Sequence, residues 1–186
     1  MADWNTAYNW MMDNEDSQRK FNEAPDPCPK GVAGPCFAIG GVNSGAWPQE
    51  YAAIKAADQA QRQALVQDFY QKHYWNQWYA QLGSDEVCKR VFDFAVNGGA
   101  ASVRCLQQAV NSLVGAAEAM AAGAVAGAVS EDGGWGPKTV AAANAADAAA
   151  LVTEFKAKRL AFYQNLAAAD PSKQQYLKGW TARAGK

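Results

Sequence analysis

The sequence predicts an all-α fold with at most one short β-hairpin, and three observations carry that prediction. Apolar residues recur at steps of three and four through most of the chain, the spacing of one helix face. Helix punctuation separates these runs: Pro48, Asp58, Ser84, Pro137 and Pro171 at starts, Gly83 and Asn97-Gly98-Gly99 at stops. Strand signals are confined to residues 36–43.

In chain order, Trp4, Tyr8 and Met11 form the apolar stripe of a helix, and one further step of four lands on Glu15. Phe21 to Ala46 cannot form a long helix, because Pro25, Pro27, Pro29 and Pro35 alternate with five glycines. A loop of that length in a compact domain is usually functional, or a hairpin held by its turns. Pro48–Lys55 is a short helix with proline in its first turn, where the missing N–H is harmless. Asp58 caps a helix predicted to run to about Leu82, with Leu65, Phe69 and Lys72/His73 along one side. Ser84 caps the next, DEVCKRVFDFAV, whose Val87, Val91, Phe94 and Ala95 share a face. Ala100–Val114 repeats the pattern with Val103, Leu106, Val110 and Leu113.

Gly115–Val129 is rich in alanine and is expected to pack loosely if helical. Gly115, Gly123 and Gly127 interrupt it and Met120 is its only long apolar side chain. SEDGGWGPKT reads as a turn with a helix starting at Pro137, Ala150–Asn165 as a long amphipathic helix, and Pro171 as the start of a last helix ending near Trp180 and Arg183.

At 186 residues the chain is long enough to bury a core without metals or staples. A net charge of −1 gives no electrostatic case for nucleic acid or an anionic membrane. No apolar run reaches the ~20 residues a membrane span needs. MADWNTAYNW lacks the basic and long apolar regions of a signal peptide, which predicts synthesis in the cytoplasm and another route to any external target. Seven Trp and seven Tyr could line a carbohydrate cleft, although most are expected in the core. None of the four cysteines lies in a CxxC, and the single histidine, His73, has no cysteine or carboxylate partner in sight. No metal or other cofactor is expected, and His73 reads as a surface or packing residue. Proximity pairs Cys28 with Cys36 and Cys88 with Cys105, one of three possible connectivities. Two such bridges would place the protein in an oxidising space.

Glu15 is the first candidate for chemistry. A carboxylate continuing an apolar stripe at a helix end is poorly solvated. Desolvation favours its protonated form, the form a general acid needs, whereas a glutamate at a frayed helix end needs no such role. Asp26, in the following loop, could face it across a cleft. The alternative for Asp26 is a turn-forming residue. Asp93 and Asn97 lie four apart on one predicted helix, so they could back a cleft floor or form a buried capping network. GPKT lacks the contiguity of a phosphate-binding loop, so DGGWGPKT is a turn and helix cap.

Several ordered segments resemble glycoside hydrolase family 108, the N-acetylmuramidases of phages and bacteria. They are the helix ending in Glu15, the loop with Asp26-Pro27, the turn Gly41-Val42-Asn43, the pair Tyr74-Trp75, FDFAVNGG (Phe92–Gly99) followed by Leu106-Gln107, DGGWGPKT (Asp132–Thr139), and Gly179-Trp180 with Arg183. The resemblance implies a lysozyme-like helical region over residues 1–114 and a peptidoglycan-binding-like helical region over 115–186, packed as one unit. It further implies hydrolysis of the β-1,4 bond between N-acetylmuramic acid and N-acetylglucosamine. Glu15 would be the acid and Asp26 the group that positions water or stabilises the oxocarbenium ion. Asn43, Tyr74, Trp75 and Asn97 are the implied substrate contacts. The chain departs from the family where Glu-Gly-Gly becomes Glu15-Asp16-Ser17, Asp-Pro-Gly-Gly becomes Asp26-Pro27-Cys28-Pro29, and Thr or Ser becomes Asn43.

Peptidoglycan is the expected partner. A phage endolysin and a secreted antibacterial effector, the latter with a secretion machine and an immunity protein, both fit a chain that reaches the wall by an external route. A wall-binding module without turnover and a lytic transglycosylase are the competing activities.

Overall fold

The computed structural model describes residues 1–119 and 128–186, with the side chains of 116–119 outside the description. Met120, Gly123 and Gly127, at the centre of the expected loosely packed segment, lie outside the described residues. The chain forms two compact units, Tyr8–Asn76 and Met1–Ala7 with Gln77–Lys186, and the division falls inside the first helix.

In the Tyr8–Asn76 unit, α1 (Trp4–Glu15) buries Tyr8, Met11 and Met12. The chain then turns sharply without the glycines expected there. Arg19 and Phe21 take left-handed φ values of 51° and 48°. That conformation is costly for non-glycine residues and needs support from its surroundings. Asp16 supplies part of it, accepting from the Phe21 N–H at 2.7 Å and the Lys20 N–H at 3.3 Å. Arg19 ties the turn back to the helix through the Asn9 carbonyl at 2.9 Å and Asp13 at 2.8 Å.

A three-stranded antiparallel sheet follows, in the order β1 (Glu23–Asp26), β2 (Cys36–Ile39), β3 (Val42–Asn43). The β2–β3 hairpin is the one expected within residues 36–43. Its two-residue loop, Gly40-Gly41, has φ of 55° and 81°, the all-positive pattern of a type I′ turn. β1 was not legible as a strand because it contains Pro25, which an edge strand tolerates. Asp26 ends β1 opposite Cys36, and Glu23 pairs with Ile39.

Helix α2 (Pro48–Ala56) packs on β2 and β3, and α3 (Gln59–His73) starts with a full capping box between Asp58 and Gln61. The helix predicted to reach Leu82 ends nine residues early. Tyr74 leaves the helical region at φ −123° and ψ −32°, and the N–H groups of Tyr74 and Trp75 both reach the Tyr70 carbonyl. Tyr74 joins a cluster with Trp47, Phe69 and Tyr70, so packing overrides a helical pattern that looks continuous.

The second unit is helical: α4 (Gln77–Ala80), α5 (Asp85–Gly98), α6 (Ala100–Ala119), α7 (Pro137–Ala145), α8 (Ala148–Ala169), a short 3-10 turn (Pro171–Lys173) and α9 (Gln174–Ala184). Ser84 caps α5 and Asp147 caps α8. Helix α8 packs against α5, α6, α7 and α9, around Phe94, Leu106, Leu151 and Phe155. Asp93 is fully buried in this core. Arg183 grips it with Nε at 3.1 Å and Nη2 at 2.7 Å, and Arg159 Nη2 reaches it at 2.8 Å. Asp93 therefore joins α5, α8 and α9 as the centre of a buried ion network.

The DGGWGPKT turn is fastened to α6 by Gln107. Its buried amide donates to Asp132 at 2.9 Å and to the Gly134 carbonyl at 3.0 Å, and accepts from the Gly133 N–H at 2.9 Å. Gly133, at φ 75°, lies so close to α6 that an added Cβ would stand 2.9 Å from the Ala100 carbonyl oxygen.

Cys28 and Cys36 are bonded, with Cα atoms 5.2 Å apart. The proximity pairing of Cys88 with Cys105 does not hold: both are free, buried thiols. Each packs in the helical core as a small apolar side chain, and burial pushes the Cys88 thiol up to about 12 and Cys105 up to about 11.

Candidate active site

Five of the six residues marked by the sequence fall in the Tyr8–Asn76 unit: Glu15, Asp26, Asn43, Tyr74 and Trp75. Asn97 belongs to the other unit. It is exposed near the end of α5, and its amide oxygen meets Arg183 at 3.0 Å when turned toward the guanidinium.

Glu15 is half-buried at the end of α1, as the stripe through Tyr8 and Met11 requires. Its carboxylate stands over the Gly40-Gly41 turn, where a Cβ on Gly41 would lie 3.2 Å from Oε2 and would also collide with the Tyr70 hydroxyl. Gly41 thus does two things that another residue could not: it adopts the left-handed turn and leaves room beside the Glu15 carboxylate. The Tyr70 hydroxyl donates to the Gly40 carbonyl at 3.1 Å, pinning the turn from α3. One helical turn further on, Tyr74 is raised above its ordinary pKa by burial, with a side-chain bond from Trp47 opposing and the Glu15 charge adding to the rise. Tyr8, on the buried stripe of α1, is pushed up to about 12 by burial.

Asp26 is half-buried at the end of β1 and accepts from Asn43 Nδ2 at 2.6 Å. Asp16, the carboxylate adjacent to Glu15 in sequence, is engaged with the backbone of the turn after α1. Glu23 on the outer strand bonds the Tyr51 hydroxyl and Lys55, which hold its carboxyl below the usual carboxylate range.

Sequence reading missed Tyr70, Trp47 and the surroundings of His73. His73 has a carboxylate neighbour, Glu50, with Nε2 3.3 Å from Oε1, and its ring lies 4.5 Å from that of Trp47. Glu50 precedes His73 by more than a full helix, so no local spacing reveals the contact. For Tyr70 a signal existed: Tyr70 and Tyr74 stand four apart on one helix. Among the described residues no group of three His, Cys, Asp or Glu side chains could hold a metal ion, and no helix is long and apolar enough to cross a membrane.

Residues 38–99 match the family model described as Glycosyl hydrolase 108, and residues 101–185 match that described as Predicted Peptidoglycan domain. One part of the chain is thus similar to family 108 glycosyl hydrolases and the next to a peptidoglycan domain. The two matches agree with the family and the order of parts that the spaced motifs implied, and they support a glycoside hydrolase that acts on peptidoglycan. The family 108 match contains Asn43, Tyr74, Trp75 and Asn97 and begins after Glu15 and Asp26, so those two carboxylates rest on the geometry above. The chain matches no curated protein and no solved structure.

Proposed function

We propose that the chain is an N-acetylmuramidase that hydrolyses the β-1,4 bond between N-acetylmuramic acid and N-acetylglucosamine in bacterial peptidoglycan. The observation that carries this reading is the placement of Glu15: a half-buried carboxylate at a helix end, facing a turn kept open by Gly41 and flanked by Tyr70 and Tyr74.

Glycosidic cleavage needs a proton donor at the leaving oxygen and negative charge or an activated water at the anomeric carbon. Glu15 gives the proton. Asp26 is the second carboxylate, stabilising the oxocarbenium-like transition state or orienting the attacking water. Tyr74 and Trp75 offer aromatic faces to the sugar rings. The peptidoglycan domain keeps the chain on its insoluble substrate, raising the local concentration of glycan at the site. The Cys28–Cys36 disulfide suits work outside the cytoplasm, in the periplasm or beyond it, as an endolysin or a delivered antibacterial effector.

Mass analysis of the soluble fragments from purified peptidoglycan tests the activity. Fragments with free reducing ends support the muramidase, 1,6-anhydro ends would make it a lytic transglycosylase, and wall binding without fragments would make it a binding module.

A further inference from the structure

A side-chain amide can make four hydrogen bonds, two as donor and two as acceptor. Asn43 makes all four inside its own loop system. Nδ2 donates to Asp26 Oδ2 at 2.6 Å and to the Pro27 carbonyl at 3.0 Å. Oδ1 accepts from the Gly45 N–H at 2.8 Å and the Ala46 N–H at 3.2 Å. An amide occupied in this way has no donor or acceptor left for a sugar, so the substrate contact expected of Asn43 gives way to a different role.

What it grips is a strand end. Asp26 is the last residue of β1, with Cys36 directly opposite, and Cys28 lies two residues further along the chain. Beyond Cys28 the loop has little to hold it: residues 30–35 are all exposed, Val32 at 39%. The disulfide closes this loop and seats it on Gly45, where a Cβ would stand 2.9 Å from both Cys36 Sγ and Pro29 Cδ. Gly45 is in turn one of the residues whose N–H Asn43 binds. Disulfide, strand end and amide form one closed circuit around the Asp26 carboxylate. Among the described residues, Asp26 Oδ1 takes no hydrogen bond.

We propose that Asn43 is a positioning residue for Asp26 and that the Cys28–Cys36 disulfide keeps the two together, so that turnover is lost when that bond is reduced. The inference rests on Asp26 being the second carboxylate of the proposed muramidase. Entropy supplies the reason for redox dependence: opening the loop frees several exposed residues, and the two Asn43 Nδ2 bonds and the end of the β1–β2 pairing must then hold the strand end without the covalent closure.

The test measures peptidoglycan hydrolysis by the full chain, oxidised, reduced with dithiothreitol, and as the Cys28→Ser/Cys36→Ser double variant. Reduction cleaves the S–S bond. Each sulfur gains a proton and an electron, and dithiothreitol leaves as its cyclic disulfide. A fall in kcat of ~10- to 100-fold is expected on reduction, the scale of a displaced catalytic group. The double variant should show the same fall, with no response to reductant and an unchanged helical circular dichroism spectrum.

Asn43→Asp is the second probe. It keeps the oxygen that caps Gly45 and Ala46 but sets a second carboxylate against Asp26. Two carboxylates in contact resist ionising together, so the acid limb of kcat/KM should move to higher pH while KM stays within about twofold. A merely structural asparagine would lower kcat without moving that limb. If Asp26→Asn is inactive while reduced wild type and Asn43→Asp both keep the wild-type kcat and pH profile, the positioning role is overturned and Asp26 keeps its place. If Asp26→Asn is fully active, Asp26 leaves the chemistry and the underlying reading falls with it.

Discussion

Both units of this chain bury an apolar core, and they differ in the polar devices added to it. The Gln77–Lys186 portion is a helical core in which long helices bury Phe94, Leu106, Leu151 and Phe155 and enclose the Asp93–Arg159–Arg183 ion network. The Tyr8–Asn76 unit, which carries both candidate carboxylates, buries Met11, Phe21, Ile39 and Tyr70 and adds to them the Asp16 and Arg19 grip on the turn after α1, the Gly40-Gly41 hairpin, the saturated amide of Asn43 and a disulfide. A core of packed helices resists deformation everywhere, whereas a network of specific bonds fixes particular atoms. The second kind of order suits a site, where particular atoms must be held in place.

Substitutions can break this contrast. The largest loss of stability is expected from Asp93→Ala, which leaves two guanidinium groups in a core without their anion and should destabilise by ~3–5 kcal/mol. Thermal unfolding measures it; a shift of less than a degree would mean the network is dispensable. Gly41→Ala should do the reverse, costing only ~1–3 kcal/mol of backbone strain while crowding Glu15 and Tyr70, so that lysis falls far more than the melting temperature. Comparable losses in both would make Gly41 a folding residue alone. Removing the Ser84 cap of α5 by alanine is a smaller change, ~1 kcal/mol, with lysis untouched at temperatures well below unfolding.

The thiols sharpen the contrast without a mutation. With Cys88 raised to about 12 and Cys105 to about 11, neither should react with a thiol reagent at neutral pH in the folded chain. Both should react in denaturant, and all four cysteines after reduction. The stabilisation from keeping these two thiols neutral is fully present below the ordinary thiol pKa of ~8.5 and is lost as pH rises through about 11 and about 12. Melting temperatures taken across that alkaline range would show a decline.

Much of the helical architecture was written locally. Asp58 with Gln61, Ser84, Gly99 and Pro137 mark boundaries that the structure keeps, because caps and breakers act within a turn of their own position. The stripe ending at Glu15 was legible for the same reason. What escaped depends on distant partners. The early end of α3 follows from the aromatic cluster that takes Tyr74, and β1 exists only through pairing with β2 across a long loop. Cys88 and Cys105 looked like neighbours in sequence and are not bonded. Asn43 shows the limit most clearly. Its position in a family-like turn pointed to substrate, and only coordinates show that Asp26, Pro27, Gly45 and Ala46 use its whole hydrogen-bonding capacity.

The most direct test of the account compares reducing-end release from purified peptidoglycan by wild type and by Glu15→Gln, with thermal unfolding of the same samples. General-acid catalysis contributes ~10²- to 10⁴-fold, so Glu15→Gln should lose at least a hundredfold in rate while unfolding near the wild-type temperature. Equal release by both proteins would remove Glu15 from the mechanism and with it the assignment of the site to the turn around Gly41.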